Sequence, residues 1–204
     1  MVATAVCVLF LGISGALQEM MTVSDGKLSS GGTMMMIGSF AIGSLIGEWI
    51  NVDYHMERFG EWLKVKTGST GDAGFVNGFV TASLPVCIGA MAVVGAIQDG
   101  ISGDYSTLAA KAVLDLIIIM IMTASMGKGC MFSAVPVALF QGSITLLAKF
   151  IEPMMTAAAL SNLSLVGSIM IFCVGANLLW NLKIRVANML PALVIAVAWA
   201  FLPL

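Results

Sequence analysis

The chain has 204 residues, 59% of them hydrophobic and only 10% charged, with a formal net charge of −2 and a mean hydropathy of +1.03. Soluble domains carry about 25% charged residues, so this composition excludes an ordinary soluble fold and describes an integral membrane protein. A spanning helix uses about twenty residues, and seven of them would occupy about 140 positions, which leaves no room for a separate soluble domain. The slightly acidic balance provides no basic patch for phosphates, so nucleic acid is excluded as a partner.

Apolar runs of helix length lie near residues 2–18, 33–50, 75–98, 106–126, 131–150, 163–181 and 186–204, giving the expectation of an all-α, polytopic transmembrane bundle of about seven helices forming one integral membrane domain over 1–204. The first run lacks the positive leader of a signal peptide and is read as a short span that ends in Gln18-Glu19. The third contains Pro85, which predicts one kinked or tilted helix rather than two elements. Between the second and third runs, residues 51–66 place Met56, Phe59 and Leu63 on one helical stripe with Trp62 beside them. That pattern predicts an amphipathic helix lying in the membrane interface. His55, the single histidine, sits there without nearby partners and is given no catalytic role.

Cytoplasmic loops are enriched in Lys and Arg. Arg58, Lys64, Lys66, Lys128, Lys183 and Arg185 fall on one side, and Lys27, Lys111 and Lys149 on the other. The count favours an N-terminus inside and a C-terminus outside, in a bacterial inner membrane.

Residues 2–19 align without a gap on 82–99, pairing Val6-Cys7 with Val86-Cys87, Val8 with Ile88, and Gly15-Ala16-Leu17-Gln18-Glu19 with Gly95-Ala96-Ile97-Gln98-Asp99. The ordered ending in an amide and an acid predicts an internal repeat, a duplication on which transporters build pathways and which a non-transporting membrane scaffold would show equally. A weaker third copy surrounds Gly175-Ala176-Asn177.

Five polar residues in or beside the apolar runs are candidates for an ion or solute pathway. Lys111 and Asp115 are four residues apart on one helix, a spacing at which side chains pair. Charges at membrane depth are costly unless paired or hydrated. Two readings stand side by side: a pathway-lining pair in which Asp115 takes up a cation or proton, or a Lys111 that snorkels to the interface while Asp115 bonds a neighbouring helix. Gln141 in the fifth run must meet protein, water or solute, because lipid offers an amide nothing. Gln98 and Asp99, at the outer end of the third run, would form a polar vestibule or simply hydrate a helix end. Glu48 beside Trp49 reads as an interface anchor, with a pore carboxylate as the alternative.

Gly43 and Gly47 form a G-x-x-x-G step, a helix-packing face that would serve a homodimer or the bundle itself. Gly12, Gly15, Gly89 and Gly95 thin other helix faces. The 16 methionines and the dispersed Cys7, Cys87, Cys130 and Cys173 read as packing residues, with no metal site and no cofactor expected. No nucleophile motif, metalloprotease motif, P-loop or dinucleotide fingerprint is present in the sequence, so no enzyme is expected.

The segments NGFVTASLPVCIGAMAVVGAIQDG, KAVLDLIIIMIMTASMGKGCMFSAVPVALFQGSITLLA and VGANLLWNLKIRVANMLPALV resemble the bacterial membrane family called domain-of-unknown-function family 554, the YdfK/YqgA-like proteins. The resemblance covers nearly the whole chain. It implies a further span and polar connection ahead of Met1, the counterpart of 33–66, and it brings no catalytic residue with it. The leading expectation is movement of an ion or small solute across the bilayer, and the alternative is a non-transporting scaffold or regulatory subunit.

Overall fold

The computed structural model describes residues 2–24, 27–87 and 90–202, in which helices dominate. They are α1 (Val2–Met20), α2 (Thr33–Ile50), α3 (Val52–Lys66), α4 (Phe75–Cys87), α5 (Ala90–Ser102), α6 (Ser106–Met126), α7 (Ala134–Leu146), α8 (Ala148–Ile151), α9 (Ala157–Trp180) and α10 (Pro191–Trp199). Tight 3-10 turns at Lys128–Ser133 and Val186–Met189 lead into α7 and α10. Four segments, Thr33–Ile50, Ser106–Met126, Lys128–Leu146 and Ala157–Trp180, are long and apolar enough to cross a membrane. The α4–α5 pair makes a fifth if it counts as one broken span, and Ala5–Met20 and Val186–Trp199 are shorter apolar helices.

Three expectations change. A β-hairpin, β1 (Met21–Ser24) and β2 (Lys27–Ser30), joins α1 to α2, with Met21 opposite Ser30 and Val23 opposite Leu28. Its signal is the Asp25-Gly26 dipeptide between two short non-helical stretches, a preferred hairpin turn; those two residues lie outside the described ones. The third apolar run is two helices bent by 63°, not one kinked helix. Pro85, inside α4, cannot donate to the carbonyl four residues back, and α4 ends two residues later at Cys87. The two segments aligned as a repeat therefore have different backbones: 2–19 lies in the single helix α1, whereas 82–99 runs across the α4–α5 break. Pro85 stands where the first copy has Ala5. Ile88 and Gly89, which that alignment and the glycine reading used, lie outside the described residues.

The chain divides into two compact units, one comprising Met1–Thr4 and Asp53–Pro153 and the other Ala5–Val52 and Met154–Leu204. In the first, the apolar stripe of α3 docks on protein: Leu63, Phe75 and Phe79 are buried together, with Met56, Phe59 and Phe132 packed around them. The expected interfacial helix is thus amphipathic as read, but its stripe covers α4 rather than lipid. Trp62 stays exposed, stacked on Phe59 at 5.8 Å and approached by the Lys66 ammonium. A second cluster joins Ala82, Met122 and Cys130, where Cys130 donates to the Gly78 carbonyl at 3.4 Å.

In the second unit, small residues let backbones meet. A Cβ on Gly12 would strike the Phe172 backbone, and one on Gly175 would lie 2.7 Å from the Leu9 nitrogen. Ser161 on α9 donates to Glu19 on α1 at 2.6 Å, and Asn162 donates to the Ala196 carbonyl of α10 at 3.1 Å. Gly43 and Gly47 are buried against Ala192 and Asn188 of the same chain. The face that suggested a homodimer is covered within this unit. Asn51 and Asn181 close α2 and α9 in the left-handed conformation, with φ of 56° and 52°, a role that suits asparagine. Cys7 is exposed, unlike the buried residue expected of a small apolar side chain.

Candidate functional site

The site lies within the first unit, and its frame follows from which helix ends meet. A Cβ on Gly78, near the start of α4, would meet Met126 and Cys130 at the α6–α7 connection. At the other end, Gly95 of α5 faces Thr107 and Leu108 near the start of α6, while Gly100 faces Thr145 and Ala148 where α7 ends. Helices α6 and α7 therefore run antiparallel, both resting on the α4–α5 pair.

Between α6 and α7, with Val86 of α4 at its base, is a cavity of about 650 Å³ that opens to the outside past the exposed Leu116, Met120 and Met131. Leu108, Ala112, Asp115, Leu116, Ile119, Met120, Thr123 and Ala124 line it from α6. Their spacing, in steps of three and four, is that of one helix face. Ser133, Ala134, Val137 and Gln141 line it from the α7 side. Asp115 and Gln141, from different apolar runs, share this one cavity.

Lys111 sits behind the wall. It is 7% exposed, its ammonium bonds Asp115 Oδ2, and it donates to the Val86 carbonyl at 2.8 Å. That carbonyl belongs to the last turn of α4, where the broken helix leaves acceptors without intrahelical donors. A cation at a helix C-terminus is favourable, so one ammonium serves both the carboxylate and the helix end. Lys111 does not snorkel. The Asp115 side chain is 20% exposed, and it faces the cavity.

Gln98 and Asp99 are held elsewhere. Gln98 is exposed and its Oε1 accepts from the Thr107 hydroxyl at 2.7 Å, and neither it nor Asp99 lines the cavity. Glu48 is exposed and pairs with Arg185 at 3.3 Å. Sequence reading missed two hydroxyls. Thr123 Oγ1 is buried and has no hydrogen-bond partner, and Ser133 is 2% exposed; both line the cavity. Thr123 carried a signal, since it lies eight residues after Asp115 and hence on nearly the same helix face. Ser133 belongs to the 3-10 turn and had no periodicity to reveal it. No group of three or more His, Cys, Asp or Glu side chains able to hold a metal is gathered among the described residues.

The cavity can hold a small molecule against an apolar wall and offer it the carboxylate of Asp115 and the amide of Gln141. A model of the family described as "Protein of unknown function (DUF554)" matches residues 1–201. The chain is 28% identical over 162 residues to "Uncharacterized membrane protein YdfK" of Bacillus subtilis (strain 168), a match covering 79% of this chain and 68% of that protein. It is 26% identical over 165 residues to "Uncharacterized protein YqgA" of Escherichia coli (strain K12), covering 79% of this chain and 70% of the relative. No solved structure matches.

Proposed function

The chain belongs to the DUF554 family, and on that premise we propose that it is a multi-pass protein of the bacterial inner membrane that moves an ion or small solute through the α6–α7 cavity. The observation that carries this reading is the convergence of Asp115 and Gln141 on one cavity. A broken helix beside a polar group at membrane depth, as at Val86 and Lys111, is the arrangement from which many transporters build their sites. Seven membrane crossings, counting the α4–α5 pair once and including α1 and α10, follow from the apolar runs. The distribution of Lys and Arg favours an N-terminus inside. No catalytic chemistry or cofactor enters this reading.

The test is flux in proteoliposomes, screening protons, common cations and anions, and small solutes. Asp115→Asn and Gln141→Ala are each expected to reduce the flux found for the unaltered protein at least tenfold. Flux that survives both substitutions overturns the site. A second reading, a membrane scaffold or regulatory subunit, draws on one observation: Lys111 already satisfies Asp115 and Val86 within the fold. Absence of any flux from correctly inserted protein would favour it.

A further inference from the structure

Helix α3 has a second face that the fold leaves uncovered. Its buried side is turned to the start of α4, where Leu63 packs with Phe75 and Phe79 and a Cβ on the buried Gly60 would come within 2.8 Å of the Phe79 ring. Facing away are Tyr54, Arg58, Trp62 and Lys66, four residues apart and therefore one column along the helix. All four are exposed, as is Val65 beside them. Each cation in the column lies over the ring one turn before it, the Arg58 guanidinium 5.7 Å from the centre of Tyr54 and the Lys66 ammonium 5.8 Å from that of Trp62. Among the described residues neither cation forms an ion pair. The acids of the helix, Asp53, Glu57 and Glu61, make a separate column about a quarter turn away. Charge is sorted by face.

The position of the helix selects the partner. A single residue, Asn51, separates α3 from α2, a helix long and apolar enough to cross a membrane. With 15 residues, six of them charged, α3 is about 22 Å long and too polar to enter a hydrocarbon layer of about 30 Å. It belongs at the surface where α2 leaves the bilayer. Tyr and Trp rings settle at headgroup depth, and Lys and Arg beside a bilayer attract its anionic lipids. We propose that Tyr54, Arg58, Trp62 and Lys66 form a binding face for anionic phospholipid headgroups of the protein's own membrane. Arg58 and Lys66 take the phosphate oxygens, while Tyr54, Trp62 and Val65 rest against the glycerol and the upper acyl chains. From residue 54 to residue 66 the column rises about 18 Å, so a free phosphate would meet one rung where a headgroup layer meets them all. This role is independent of what the α6–α7 cavity carries.

The experiment uses the full chain with Trp49, Trp180 and Trp199 replaced by phenylalanine, which leaves Trp62 as the reporting tryptophan. It is placed in phosphatidylcholine nanodiscs containing an equal minor fraction of either brominated phosphatidylglycerol or brominated phosphatidylcholine, whose bromines quench tryptophan. The phosphatidylglycerol is expected to quench Trp62 preferentially, with about fivefold of that preference from each cation. Arg58→Gln and Lys66→Gln should therefore each lower it about fivefold, and the double variant should remove it. Raising the salt from about 0.15 M to about 1 M should shrink it, because the screening length falls from about 8 to about 3 Å. Lys64→Gln, on another face of the same helix, is expected to change it less than about twofold. Should the tryptophan-replaced chain fail to fold, melting temperatures of the unaltered chain and of the Arg58→Gln/Lys66→Gln variant in discs of rising phosphatidylglycerol content read the same difference. Equal quenching by the two lipids overturns the proposal, and polyglutamate that then shifts Trp62 emission would assign the face to an acidic protein. A loss with Lys64→Gln as large as with Arg58→Gln overturns it too, since a diffuse positive field would suffice. So does inorganic phosphate that displaces the lipid beyond the effect of chloride at the same ionic strength.

Discussion

Replacing Lys111 by methionine keeps the length of the side chain and removes the ammonium that holds both Asp115 Oδ2 and the Val86 carbonyl. Removing one partner of a buried ion pair costs about 3–5 kcal/mol. The Asp115 side chain keeps 20% exposure, so Lys111→Met belongs near the lower end, about 3 kcal/mol. Asp115→Leu leaves the ammonium at a residue 7% exposed with a carbonyl as its remaining partner, and belongs near the upper end, about 5 kcal/mol. The double variant contains no stranded charge. Its expected cost is about 1–2 kcal/mol, chiefly the unsatisfied Val86 carbonyl. The double variant should therefore be more stable than either single one. Reversible unfolding by denaturing detergent in mixed micelles, followed by circular dichroism, measures all three differences. Single substitutions costing under about 1 kcal/mol and adding simply in the double variant, as exposed pairs do, would refute the account of a buried charge latch.

Gly47→Ala is expected to destabilise by about 1–3 kcal/mol or more, because the new Cβ would overlap the Asn188 carbonyl oxygen. Gly142→Ala in α7 has nothing within 4 Å of its Cβ and should be neutral or stabilising by up to about 1 kcal/mol; the same unfolding assay compares them, and equal effects would refute the packing argument. Asp104, in the connection between α5 and α6, accepts from the Ser106 amide at 3.0 Å, and its bonds to the Ser106 side chain and backbone hold its carboxyl below the usual carboxylate value. A depressed value means that the ionised form stabilises the start of α6 above the unfolded-state value, and that this support is lost as pH falls through the folded value. Amide exchange at Ser106 should accelerate across that acid range relative to its intrinsic rate, and Asp104→Asn should flatten the dependence; an unchanged profile in the variant would remove Asp104 as the cause.

The long apolar helices were legible because each run is bounded by residues that stop it. The expected 33–50 and 106–126 coincide with Thr33–Ile50 and Ser106–Met126, flanked by Gly32, Asn51, Tyr105 and Gly127. The amphipathic stripe of α3 was legible for the same local reason, whereas its partner was not, since Leu63 would bury equally well in lipid or against Phe79. The Lys111–Asp115 pair could be read from its spacing on one helix. That Gln141 shares Asp115's cavity and Gln98 does not depends on how α5, α6 and α7 are arranged, which no single run encodes. Pro85 announced a disturbance without giving its size. The G-x-x-x-G step announced a close neighbour without identifying it as Ala192 and Asn188 rather than a second chain.

The second unit draws its helices from both ends of the sequence, and this imposes an order of assembly. Glu19 and its bonding partner Ser161 are 142 residues apart. At synthesis rates of about 5–20 residues per second, α1 emerges about 7–28 s before the segment it needs. The continuous stretch Asp53–Pro153 completes its own set of helices during that interval. The glycine-lined surfaces of α1 and α2 must meanwhile wait without their partner backbones, which makes the nascent chain most vulnerable to mispairing while its last two apolar helices are still being made. It follows that Met154–Leu204, supplied as a separate polypeptide, contains the surfaces that could close the unit around a chain ending at Pro153.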